Sequence, residues 1–129
     1  MAAVLIADED EDIRYVIRML LEDECYSVCE ARNGADALNI LNTSPEPLIT
    51  LLDEHMPFLT GVDVLNVVAK REGKLMRHAY IFLTPLDFHR NAKLFEMLTE
   101  LAIPVLFKPF ESDDLLKAVA AAQARNVSH

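Results

Sequence analysis

Residues 4–14 read VLIADEDEDIR. An aliphatic run, Val4 to Ala7, meets five consecutive acids, Asp8 to Asp12. A short, continuously apolar run fits a central parallel strand covered on both faces. Five adjacent carboxylates repel one another, and the end of a buried strand does not open them all to water. A solvated acidic tail is one reading. A metal site followed by a helix start is another, and the rest of the chain decides between them.

The alternation set up there recurs. Strands are expected at AVLIA (3–7), YSVCEA (26–31), LITLL (48–52), AYIFL (79–83) and PVLF (104–107). Helical patterns lie between and after them. Ile13, Val16, Ile17, Leu20 and Leu21 keep the spacing of an inward apolar stripe. Ala37, Leu38, Ile40 and Leu41 form a second pattern. Val64, Leu65, Val67 and Val68 form a third, ending near Gly73. A fourth runs from about Asp87 to Leu101, with Phe88, Ala92, Phe95 and Leu98 or nearby residues inward. The last runs from about Ser112 to Ala124, with Leu115, Leu116 and Val119 inward and Glu111 or Ser112 as cap. Five strand–helix units imply an α/β domain with a parallel sheet and helices on both faces. The core is expected over about residues 3–122 of a single 129-residue domain, with 125–129 as a frayed tail.

Composition narrows the function. At 52% hydrophobic residues the chain is no disordered tail. No apolar run approaches the roughly 20 residues of a membrane helix, and no signal peptide is evident, so a cytoplasmic protein is expected. The net charge is −9 and the basic residues are scattered, which argues against direct nucleic-acid binding. Cys25 and Cys29 match no zinc or redox spacing.

Open parallel sheets bind ligands beyond the carboxyl ends of their strands. The first strand ends in Asp8-Glu9, the third in Asp53 (LLDEHMP), the fourth in Thr84 (FLTP) and the fifth in Lys108 (LFKPF). The second contributes nothing obvious. Singly, each is more often a cap or a solvated side chain; together they form a constellation. Three nearby carboxylates call for a cation, and hard oxygen ligands suit Mg2+. A carboxylate beside such a cation can attack phosphorus. An ammonium and a hydroxyl can stabilise the remaining phosphoryl oxygens.

VLIADEDEDIR, LITLLDEHMPFLTG, IFLTP and LFKPF resemble the receiver domain of two-component response regulators, in order and spacing, over about residues 3–122. The resemblance implies a flavodoxin-like five-stranded sheet of order 2-1-3-4-5. It implies Asp53 as phosphoacceptor, and Asp8, Glu9, Asp53 and the backbone carbonyl of His55 as ligands of Mg2+ (or Mn2+). Thr84 is then the switch hydroxyl, Lys108 pairs with the phosphoryl group, and Pro109 follows a cis bond. A sensor histidine kinase or phosphotransfer protein is the implied donor. Switching is expected through the face of helix 4, strand 5 and helix 5, with a downstream protein target and dimerisation on phosphorylation as its outputs. Such a chain is a phosphoacceptor and not a turnover enzyme.

The chain departs from the family pattern. Glu9 stands where a second aspartate is usual, and Pro85 follows Thr84 where a small residue lines the entrance to the site. Val105 replaces the switch aromatic, and Phe107, on the same strand face, is its candidate substitute. His55 and Leu86 occupy the two positions that tune aspartyl-phosphate hydrolysis; His55 either meets the phosphoryl group or faces solvent. Two other readings stay open. One is a receiver-like interaction module that works without phosphorylation. The other is a haloacid-dehalogenase-like phosphohydrolase, for which the Gly-Thr after the first acids is absent. Within the acidic run, Asp10 is placed to cap the first helix, with Glu11 and Asp12 in its first turn.

Overall fold

The computed structural model describes residues 2–70, 73–85 and 92–127. The strands are β1 (Ala3–Ala7), β2 (Ser27–Ala31), β3 (Leu48–Asp53), β4 (Ala79–Pro85) and β5 (Val105–Lys108). The helices are α1 (Glu11–Asp23), α2 (Gly34–Thr43), α3 (Gly61–Ala69), α4 (Ala92–Glu100) and α5 (Ser112–Val127). All neighbouring strands pair parallel, in the order β2-β1-β3-β4-β5.

Strand alternation divides the core into two layers. Leu5, Ala7, Leu52 and Phe82 point to one face of the sheet, where Ala37 and Leu41 of α2, Val64 and Leu65 of α3, and Leu94 and Leu98 of α4 cover them. Val4, Ile6, Leu51, Ile81 and Leu83 point to the other, under Ile17 and Leu21 of α1 and Leu115 and Val119 of α5. With both faces covered, β1 and β3 are buried along their whole length, which is why they read as apolar over most of their length, with Thr50 the one polar interruption before the strand-end Asp53.

The helix starts are chemically specified. The Asp10 carboxylate accepts from the Asp12 and Ile13 amides at 2.9 and 3.3 Å, so the middle of the acidic run does cap α1. Asn33 caps α2, accepting from the Asp36 amide at 2.8 Å. Thr60 and Asp63 form a reciprocal capping box on α3. For α5, the Glu111 carbonyl accepts from the Asp114 and Leu115 amides.

Several sequence expectations need correction. In α1, Val16 is 56% exposed, and the inward position beside Ile17 and Leu21 belongs to Arg14. Helix α3 stops at Ala69, well short of Gly73, which opens a 3-10 turn, Gly73–Arg77, with φ +60°. In α4, Ala92 and Phe95 are exposed and Leu94 and Leu98 are buried, while Phe88 lies outside the described residues. Helix α5 runs to Val127, so residues 125–127 are helical and not a tail. No helix among the described residues is long and apolar enough to cross a membrane.

Candidate functional site

Parallel pairing brings the ends of β1, β3, β4 and β5 to one edge of the sheet. Ala7 lies beside Leu52, Asp53 beside Leu83, and Pro85 beside Lys108. Asp8, Asp53 and Thr84 are each at most 4% exposed. The peptide bond between Lys108 and Pro109 is cis, as the resemblance implied.

At the centre one ammonium serves two carboxylates. Lys108 Nζ donates to Asp53 Oδ1, and to Asp8 Oδ2 at 3.2 Å. The second oxygen of each acid is held by backbone: Asp8 Oδ1 accepts from the Asp10 amide at 2.9 Å, and Asp53 Oδ2 from the His55 amide at 3.1 Å. Burial pushes the Asp53 carboxyl above its ordinary range; the Lys108 ammonium pulls the other way, and the Asp8 charge adds to the rise. Burial alone would lower Lys108, but Asp53 and Asp8 prevail and hold its ammonium protonated to higher pH than usual. Two buried carboxylates on one ammonium leave one negative charge uncompensated, which is the electrostatic character of a cation site.

Gly61 makes the close packing possible. A Cβ there would lie 2.2 Å from the Asp53 carbonyl oxygen, so only glycine lets α3 start against the strand end. The Gly61 amide donates to the Glu54 carbonyl at 3.0 Å, and the Glu54 amide donates to the Leu83 carbonyl at 3.0 Å. Residue 54 is thus tied on both sides.

The other expected site residues lie around this centre. Glu9 is exposed on the rim. The His55 side chain is 68% exposed, its Nε2 lying 3.8 Å from Glu54 Oε2. Pro85 is half-buried at the end of β4. Val105 is half-buried against the α2–α4 layer, and Phe107, paired in register with Thr84, is 37% exposed. Leu86 lies outside the described residues. Among the described residues no three His, Cys, Asp or Glu side chains gather around one point. Asp8 and Asp53 are brought together; Glu9 is not drawn in with them.

Three residues escaped the sequence reading. The first two are Arg14 and Glu30. Arg14 Nη1 donates to the Asp8 carbonyl at 2.6 Å and its Nε to Glu30 Oε1 at 2.8 Å. Arg18 also donates to Glu30, and to the Val28 carbonyl at 3.2 Å. Burial works against the Glu30 charge, but the two guanidinium groups outweigh it and lower its pKa. Strand β2 therefore does contribute: through Glu30 and Arg14 it fixes the backbone of Asp8. The signal was present as a charged residue in the inward stripe of α1, at 14, 17 and 21. The third is Glu54, whose Oε1 accepts the Thr84 hydroxyl.

Comparison with known proteins agrees with this architecture. The family model for the response regulator receiver domain matches residues 4–120. Sporulation initiation phosphotransferase F of Bacillus subtilis is 30% identical over 119 residues, covering 90% of this chain and 89% of that protein. The transcriptional regulatory protein CpxR homolog of Haemophilus influenzae is 37% identical over 130 residues, and there the chain spans only 53% of its relative. Among solved structures, a CheY-like response regulator receiver domain protein from Methanospirillum hungatei superposes with a TM-score of 0.85 at 22% identity, covering 99% of this chain and 98% of that one. With the strand order and the strand-end acids, the match over residues 4–120 shows that the chain belongs to the response regulator receiver domain family.

Proposed function

We propose that Asp53 is the phosphoacceptor, taking its phosphoryl group from a phosphohistidine of a sensor histidine kinase or phosphotransfer protein. A carboxylate oxygen of Asp53 attacks phosphorus, the O–P bond forms, and the N–P bond breaks. The electron pair stays on the imidazole nitrogen of the donor. The observation that carries this reading is the buried Asp53–Lys108–Asp8 arrangement. It ties both oxygens of the nucleophile, one to the ammonium and one to the His55 amide, and presents it at a sheet edge.

The donor set fits a hard divalent cation such as Mg2+ or Mn2+: two buried carboxylates with one charge unmatched. Asp8, Asp53 and the His55 carbonyl would hold it, with Glu9 acting from the rim. When bound, the ion supplies neutralisation of the transferring group's charge. Lys108 then moves from the two carboxylates toward the phosphoryl oxygens, and Thr84 offers them a hydroxyl. Pro85 and His55 border the approach and tune the lifetime of the acyl phosphate, a role the family resemblance also implies for Leu86. An apolar groove of about 530 Å3 adjoins Lys108, lined by Ile13, Val16 and Leu20 of α1 and by Pro109 and Phe110; it gives a protein donor a seat beside the acceptor. Phosphorylation biases the α4–β5–α5 face, through Thr84, Val105 and Phe107, toward a second packing and a downstream protein or a second copy.

Intact mass after incubation with Mg2+ and a small phosphodonor tests the proposal. One phosphoryl adduct is expected on the wild type and none on Asp53→Asn. No adduct from a small donor or a kinase would end it. A second reading, signalling without phosphorylation, is favoured by the Thr84 hydroxyl already being bonded to Glu54. Equal partner binding by wild type and Asp53→Asn, with and without donor, would support that one.

A further inference from the structure

We infer that Glu54 is a built-in competitor for the phosphoryl group, holding the switch hydroxyl of Thr84 in the unphosphorylated chain; this rests on Asp53 being the phosphoacceptor. A threonine hydroxyl carries one proton and donates one hydrogen bond at a time. That of Thr84, on a residue with no exposed surface, goes to Glu54 Oε1. A phosphoryl oxygen on Asp53 can receive it only after Glu54 gives it up.

Glu54 is well placed to compete. It follows Asp53 directly, and its backbone is tied to Leu83 on one side and Gly61 on the other. Its side chain is only 22% exposed, and its other oxygen faces the His55 ring at 3.8 Å. A carboxylate is also the side chain that most resembles a phosphoryl group as an acceptor: anionic, with several lone pairs directed at one donor. It works against phosphorylation a second way, because the added phosphoryl charge arrives next to an existing negative one. Glu54 therefore raises the threshold for modification. It also holds Thr84 in a bonded arrangement before any signal arrives, which narrows the difference between the two states of the switch.

The test compares wild type, Glu54→Gln, Glu54→Ala, Thr84→Val and the Glu54→Gln/Thr84→Val double variant. The first readout is the initial rate of Asp53 phosphorylation by phosphoramidate with Mg2+, followed by intact mass. Glu54→Gln keeps the size and removes the charge, so its rate should rise on the order of tenfold. The gain should shrink when Thr84 is valine. The second readout needs no phosphorylation: the methyl resonance of Thr84, which should move in Glu54→Gln and Glu54→Ala without donor. Equal rates for wild type and Glu54→Gln overturn the inference, as does a Thr84 resonance that ignores both substitutions. If no protein gains Asp53-dependent mass while the resonance moves, the phosphoacceptor reading has failed and the competition falls with it. If mass is gained and the resonance stays still, the inference alone has failed.

Discussion

Replacing Lys108 by alanine removes the cation shared by Asp8 and Asp53. The two carboxylates remain buried, at 1% and 4% exposure, with their outer oxygens still held by the Asp10 and His55 amides. Stripping the partner from a buried ion pair costs about 3–5 kcal/mol. For a domain of this length each kcal/mol moves the melting temperature by roughly 3–5 °C, so the loss at neutral pH should be about 10–25 °C. Proton uptake relieves part of it. Asp53 already has its carboxyl raised by burial, with Asp8 adding to the rise, and losing the ammonium raises it further. A raised carboxyl contributes stability below its ordinary value of about 3.9 and loses it as pH rises through the folded value. Lys108→Ala should therefore regain stability as pH falls from 7 toward 5. By the same sign, Asp53→Asn alone should stabilise the chain at pH 7, and should restore most of the loss when combined with Lys108→Ala. Thermal melts in chelator across the four proteins measure this. If Lys108→Ala melts within about 3 °C of wild type, or if Asp53→Asn fails to rescue it, the shared-ammonium account is wrong.

Other outcomes follow from single contacts. Gly61→Ala drives a methyl into the Asp53 carbonyl; chemical denaturation should show a loss of about 1–3 kcal/mol, and the rate of Asp53 modification should fall with it. Arg14→Ala frees the Asp8 carbonyl and leaves Glu30 to Arg18. It should cost about 2–3 kcal/mol and weaken Mg2+ binding, read as a smaller rise in melting temperature on adding the ion; Arg14→Lys, lacking the fork, should not restore it. Thr50 is fully buried and its hydroxyl has no partner among the described residues, so Thr50→Val should raise stability by about 1 kcal/mol. His78 accepts from the Leu48 amide through Nδ1 and meets the Leu41 carbonyl through Nε2, each within 2.8 Å. Burial lowers its pKa, so its contribution is complete above about pH 6.5 and drains away as pH falls toward the folded value. Melts from pH 7.5 to 5.5 should be steeper for wild type than for His78→Gln.

What could be read in advance divides along a physical line. The central strands β1 and β3 announced themselves because burial on both faces forces nearly continuous aliphatic runs, and the strand-end site residues did so because chain order carries Asp8, Asp53, Thr84 and Lys108 to one edge. Both are properties of position along the chain. Arg14, Glu30 and Glu54 stayed hidden because their meaning depends on a partner elsewhere in the sequence. The Arg14 guanidinium matters through the carbonyl of Asp8 and the carboxylate of Glu30, sixteen residues on. Glu54 reads as one more acid in LLDEHMP until its carboxylate is seen to take the hydroxyl of Thr84, thirty residues away. The exposed Val16 and Phe95 belong to the same class, since a helical stripe fixes spacing but not which neighbour claims the face. On the proposed reading, the strand-end acids and lysine carry the phosphoacceptor chemistry. If the pairing of Glu54 with Thr84 competes with the phosphoryl group as proposed, substitution at 54 should move threshold and output together, whereas substitution at 53 should abolish both.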